Sequence, residues 1–380
     1  MKKALQDYRS RVDIVALNPH ADIVALTADL VNIASVSRDE NLIASGIFSA
    51  LSECSWLEVH RFQNCVIAKT NFNKPSRVIV AGHIDTVPVA DNAKAKLVAA
   101  GEPLPSDGSI MTEDVLFGLG SCDMKGGVAV ALRAAASIQD PQFDVTYIFY
   151  ECEEIESARN GLTLIAAQHP EWLAADIAVL LEPSNANIEA GCQGTLRARI
   201  STVGTRAHSA RSWLGENAIH NLGGILARLN EYTPARVIVD GLEYREGLNA
   251  VAVTGGIAGN IIPDAAVVEV NYRYAPSTSA EQAEQHVREV FDGYLVEFTD
   301  NAPGAMPGLD RVALADLIAR VGGQVAPKFG WTDVARFSAM GVPAVNLGPG
   351  DPGLAHSRNE FVPVSQLRKC EETVFSWLRG

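Results

Sequence analysis

Apolar positions in the first half of the chain come in two forms. Some are short continuous runs, as in 77–81 (RVIVA), 144–150 (DVTYIFY) and 176–181 (DIAVLL). Runs of this kind, four to eight residues long and rich in Val, Ile and Tyr, predict strands buried on both faces. Others recur at three- to four-residue spacing. They predict helix over 21–53, with a break near Ser35-Val36-Ser37, an Ala-rich helix over 124–138, and helix over 158–168. Strand alternating with helix implies a mixed, largely parallel sheet with helices on both faces.

The pattern changes after Gly191. In 195–203 (TLRARISTV) Leu196, Ala198 and Ile200 alternate with Arg197 and Arg199, which predicts a strand with one buried and one wet face. Similar strands are expected at 249–258, 265–275 and 295–299, with helices at about 217–232 and 279–295. Residues 193–303 therefore read as an inserted α+β domain, an antiparallel sheet with two helices. The Pro/Gly-rich stretch 301–308 leads out of it. Helix at 309–321 and an apolar strand near 342–347 then complete the first domain, which comprises 1–192 and 304–380.

The length of 380 residues suits two such domains. A formal charge of −14 argues against nucleic-acid or anionic-membrane partners, since phosphate binding relies on Lys and Arg. No apolar run is long enough to span a bilayer. The N-terminal MKKALQDYRSRVDIVAL turns polar too soon for a signal peptide. Six cysteines without a C-x-x-C pair fit reduced thiols, so a cytoplasmic protein is expected.

The candidate chemistry sits where the predicted strands end. RVIVAG runs into His83-Ile84-Asp85, DVTYIFY into Glu151-Cys152-Glu153-Glu154, and DIAVLL into Glu182. Ligands of open α/β sheets gather beyond the carboxyl ends of strands. Asp123, before the Ala-rich helix, and His356, after the last apolar strand, are two further candidates. Singly, each has an ordinary explanation: a helix cap for Asp123, a solvated acidic loop for 151–156, a turn for Glu182. Together they bring two imidazoles and several carboxylates to one sheet edge. That donor set suits zinc, and a pair of zinc ions sharing Asp123 would form a two-metal hydrolytic site. Of Glu153 and Glu154, one can bind metal while the other takes a proton from water. Asp85, two residues from His83, suits a carboxylate that fixes the imidazole tautomer.

The ordered segments GHIDTVP, GLGSCDMKGG, YECEEIE, LLEPS and AHSRNEFVP resemble the signature segments of the di-zinc aminoacylase/carboxypeptidase family of metallohydrolases. The likeness extends over nearly the whole chain. It implies that His83 and Glu182 bind one zinc, Glu154 and His356 the other, and that Asp123 bridges, with cobalt able to substitute. It implies Glu153 as general base, Asp85 beside the site, and a cis peptide at Asp123–Met124. The inserted domain resembles the family's lid and dimerisation domain, which implies a homodimer through 193–303. His208 in GTRAHSA matches a histidine that, in dimeric members, reaches the partner's active site. Asn249, Arg273, Arg211 and Thr332 fall at positions that imply substrate contact. TVPVADN, GWTDVARF and GPGDPGLAHSRNE resemble the actinobacterial branch that removes a succinyl group. The implied reaction is therefore hydrolysis of N-succinyl-L,L-diaminopimelate, for lysine and diaminopimelate biosynthesis. Removal of an acetyl group from an amino acid, or dipeptide hydrolysis, is the alternative on the same scaffold. A non-catalytic ligand-binding relative is the alternative of another class. The proteobacterial pattern has an Arg pair where this chain has Cys192-Gln193, and a Tyr where it has Arg211.

Overall fold

A computed structural model describes residues 15–380, so the first fourteen residues, with most of the segment weighed as a signal peptide, lie outside the described residues. The chain divides into two compact units. One comprises residues 15–190, 308–326 and 336–380 of the described chain; the other comprises 191–307 and 327–335. The chain thus passes between units four times, at 190/191, 307/308, 326/327 and 335/336.

The first unit is built on an eight-stranded sheet. Its order is Glu58–Phe62, Cys65–Lys69, Asp144–Tyr150, Arg77–His83, Ile177–Pro183, Ala344–Gly348, Ile188–Ala190 and Val325–Pro327. The four strands at its centre, from Asp144–Tyr150 to Ala344–Gly348, run parallel. Of these, Asp144–Tyr150, Ile177–Pro183 and Ala344–Gly348 are buried at every position. This explains why they carry no polar alternation in the sequence. The register that sets Ala81 beside Leu180 brings His83 level with Glu182 on the neighbouring strand.

The 21–53 region forms two helices, Ile23–Asn32 and Asn41–Leu51. Asp22 caps the first by accepting the Val24 N–H at 3.0 Å. The Ala-rich helix is Gly126–Ser137. It lies so close to the sheet that a Cβ on Gly127 would sit 2.1 Å from the Leu181 carbonyl oxygen, so only glycine fits there. A C-terminal helix, Val364–Arg379, buries Leu367, Cys370, Val374, Trp377 and Leu378. A separate three-stranded sheet, in the order Phe361–Pro363, Val115–Phe117, Lys96–Val98, ties the segment after His356 to the segment before Asp123.

The second unit has a four-stranded antiparallel sheet in the order Gly247–Gly255, Ala265–Tyr274, Gly194–Val203, Leu295–Ala302. Leu196, Ala198 and Ile200 pack with Val268, Val270 and the helices Ala218–Glu231 and Ala280–Val290. Ser279 and Gln282 close a capping box on the second helix. The strand expected at 249–258 to bury one face instead exposes Val251 and Val253, at 61% and 54%. It is an edge strand, and its outer backbone groups have no partner strand in this sheet. Among the described residues no helix is long and apolar enough to cross a membrane, and all six cysteines are free and buried.

Candidate metal centre

His83 ends its strand and is 1% exposed. Its Nδ1 lies 3.1 Å from the Asp85 carbonyl oxygen and 3.5 Å from Asp85 Oδ1. A carbonyl can only accept, so Nδ1 carries a hydrogen and Nε2 keeps its lone pair in the neutral ring. Nε2 faces Asp123 Oδ1 at 3.0 Å and Glu182 Oε1 at 3.9 Å. On the other side, His356 Nε2 faces Glu154 Oε2 at 2.9 Å and Asp123 Oδ2 at 3.5 Å. Asp123 therefore offers one oxygen to each imidazole. His83, Asp123 and Glu154 alone bring a ligand atom each to within 4.8 Å of one another.

Lone pairs cannot face carboxylate oxygens at these distances unless a proton or a cation lies between them. In the metal-free protein, protons fill that role. Burial alone would lower the His83 pKa, but Asp123, Asp85 and Glu182 hold it well above the ordinary imidazole value. Asp123 and Glu154 raise His356 to about 10. Burial would raise the Asp123 carboxyl, yet the two histidines hold it well below the usual carboxylate range. Two imidazoles and three carboxylates around a shared oxygen pair are a donor set that fits two divalent metals.

The loops are anchored from behind. The peptide between Asp123 and Met124 is cis. Asp85, fully buried, accepts the Glu153 N–H at 3.0 Å through Oδ1, and the Glu154 N–H at 3.2 Å and Ser37 Oγ–H at 2.7 Å through Oδ2. Its carboxylate thus holds the Glu153–Glu154 backbone at shorter range than it meets the His83 ring. Burial would raise its pKa, but His83, Ser37 and the Glu153 amide lower it. Glu153 is half-buried beside Glu154. A second buried trio, Glu40, Glu151 and Cys152, secures the start of the same loop: Cys152 donates its N–H to Glu40 at 3.2 Å, and Asn64 donates to both oxygens of Glu151.

Two buried charged residues next to the site escaped the sequence reading. Glu360 accepts the N–H groups of Cys122 and Asp123, and burial pushes its carboxyl up to about 7. Lys125 donates to the Ile33 carbonyl at 2.8 Å, and burial pulls its ammonium down to about 7. Lys125 stands out in the sequence only as a charge between Met124 and two glycines, and Glu360, preceded by Ser357-Arg358-Asn359, does not stand out.

The remaining candidates belong to the second unit. His208 is exposed in the short strand Ala207–His208, and its Nδ1 accepts the Ala210 N–H at 3.0 Å. Arg211 is exposed in the following turn, two residues before Trp213, which is 76% exposed. Asn249 is exposed on the edge strand, opposite Asn271. Arg273 donates to Asn271 Oδ1 at 3.1 Å; burial and the nearby Arg197 lower its pKa. Thr332, expected in the catalytic domain, falls in the 327–335 segment of the second unit, where its carbonyl faces Cys192 Sγ.

Two imidazoles and three carboxylates gathered beside the carboxyl edge of a mixed sheet suit a metal-dependent hydrolase. The profile of peptidase family M20/M25/M40 matches residues 79–379, and the chain belongs to that family. It is 52% identical over 367 residues to a Mycobacterium tuberculosis protein that carries the name succinyl-diaminopimelate desuccinylase; the match covers 96% of this chain and all of that one. It is 47% identical to the succinyl-diaminopimelate desuccinylase of Corynebacterium glutamicum, over 91% of this chain and 93% of that one. Among solved structures, a Staphylococcus aureus tripeptidase shares the fold with a TM-score of 0.72 at 20% identity, over 96% of this chain and 99% of that one.

Proposed function

We propose that this chain is a two-zinc amidohydrolase that cleaves N-succinyl-L,L-diaminopimelate to succinate and L,L-diaminopimelate. The observation that carries the chemistry is Asp123 offering one oxygen to each of two opposed imidazoles. The two relatives so named, at 52% and 47% identity over most of the chain, carry the substrate. His83, Asp123 and Glu182 would hold one zinc, and Asp123, Glu154 and His356 the other. When bound, the pair would lower the pKa of a water and polarise the scissile carbonyl. Glu153, its backbone held by Asp85, would take the proton from the attacking water and pass it to the leaving amine. Buried, free thiols support a reducing compartment such as the cytoplasm.

The chain acts as a homodimer through 193–303, with His208 reaching the partner's site. Support comes from the family likeness and from the long apolar edge strand, which a second copy could cover.

Zinc uptake should expel protons. Both imidazoles are raised above their ordinary value, so without metal they keep their protons to higher pH than a free ring does. Zinc accepts only the neutral ring, so binding releases about two protons, and affinity climbs as pH rises. Calorimetric titration in buffers of different ionisation enthalpy measures this; heats independent of buffer would contradict it.

On kcat/KM, N-succinyl-L,L-diaminopimelate should exceed N-acetylornithine by about 10–150-fold, the worth of one charged contact of ~1.5–3 kcal/mol. The succinyl substrate carries three carboxylates, and Arg211 and Arg273 are the groups proposed to meet them, since guanidinium binds carboxylate two-pronged. A preference for N-acetylornithine would end the substrate assignment and leave the metal centre standing.

A further inference from the structure

Asp123 lies in an awkward stretch of backbone. Ser121–Lys125 is a single wide turn whose Asp123 and Met124 depart from helical angles, and Gly120 before it has φ +77°. Amides in such a turn lack regular helical partners and need acceptors. Cys122 and Asp123 each donate their N–H to the same atom, Glu360 Oε1, at 3.0 Å. Glu360 is 1% exposed and sits just before the strand Phe361–Pro363. That strand pairs with Val115–Phe117, which leads into Gly118, and the Gly118 N–H donates to the Glu360 carbonyl at 3.1 Å. Main chain and side chain of one residue therefore both fasten the Gly118–Asp123 loop.

We infer that Glu360 is a positioning residue for Asp123. Its carboxylate fixes the Cys122–Asp123 backbone so that one oxygen of Asp123 faces His83 and the other faces His356. A buried amide without an acceptor is costly, and one oxygen of Glu360 satisfies two of them. Neither imidazole touches Glu360 in any hydrogen bond described above, so its effect passes through the peptide backbone. The inference rests on Asp123 as the ligand shared by two metals.

The test compares Glu360→Gln, which keeps an acceptor oxygen, with Glu360→Leu, which removes it, and Glu360→Asp, which keeps the charge but shortens the reach. Hydrogen exchange of the metal-free protein is followed in a peptide spanning 118–126. Zinc affinity is read by chelator competition, and kcat and KM are read separately. Leu and Asp should speed exchange in that peptide, weaken zinc binding by about 10–100-fold, and lower kcat more than they raise KM. Gln should stay close to wild type on all three. Wild-type exchange and zinc affinity in folded Asp or Leu variants would overturn the inference. So would a Gln variant as impaired as Leu, because charge alone would then explain the effect. If wild type binds fewer than two zincs, the two-metal reading fails, while the exchange comparison still decides whether Glu360 holds the loop.

Discussion

Glu153→Gln should retain both zincs and lose about 10²–10⁴-fold in kcat, the usual cost of removing a general base. The substitution keeps size and shape. The Glu153 N–H is held by Asp85 Oδ1 at 3.0 Å, and the neighbouring Glu154, not Glu153, faces His356. What disappears is the proton acceptor. Metal content measured beside steady-state kinetics decides the matter. Turnover near wild type with two zincs bound would show that Glu153 does not take the proton.

Mixing two dead variants should revive activity. Glu153→Gln chains lack the base, and His208→Ala chains lack the histidine proposed to act on the partner. In a mixed dimer one site collects both defects and the other collects neither. Random exchange of equal amounts makes half the dimers mixed, so activity should recover to about one quarter of wild type in a two-fold symmetric dimer. His208 suits such a reach, being exposed in a short two-residue strand with Nδ1 committed to the Ala210 amide. Exchange demonstrated by labelled chains, with no recovery, would place His208 in its own chain's site or outside catalysis.

Much of the candidate site was legible because several of its residues end or closely follow continuous apolar strands. His83 and Glu182 sit at the ends of Arg77–His83 and Ile177–Pro183, which need only length and hydrophobicity to be recognised. The anchors behind them were not legible. Glu360 acts through a sheet whose three strands have three residues each, too short to show a period, and whose pairing joins segments more than 200 residues apart. The amphipathic helix Val364–Arg379 went unread after the AHSRNEFVP segment. Asp85 was expected to orient His83; that its carboxylate also fixes two amides of the Glu153–Glu154 loop is a tertiary fact with no local pattern. The strand Gly247–Gly255 alternates as a half-buried strand would, yet lies at an edge, because alternation records which faces differ and not how many neighbours a strand has.

The four crossings between units bear on any attempt to transplant one of them. Cutting at 193 and 303, where the sequence suggests a self-contained insert, would separate it from the nine residues 327–335. Those residues interlock with its stem: the Gln193 N–H donates to the Lys328 carbonyl, Trp331 Nε1–H donates to the Pro303 carbonyl, and Cys192 Sγ faces the Thr332 carbonyl. A shortened host would keep a peptide whose partners had left, and the graft would arrive with open seams. A working chimera must therefore carry both pieces, 191–307 and 327–335, so the exchangeable module is discontinuous in the gene though compact in space.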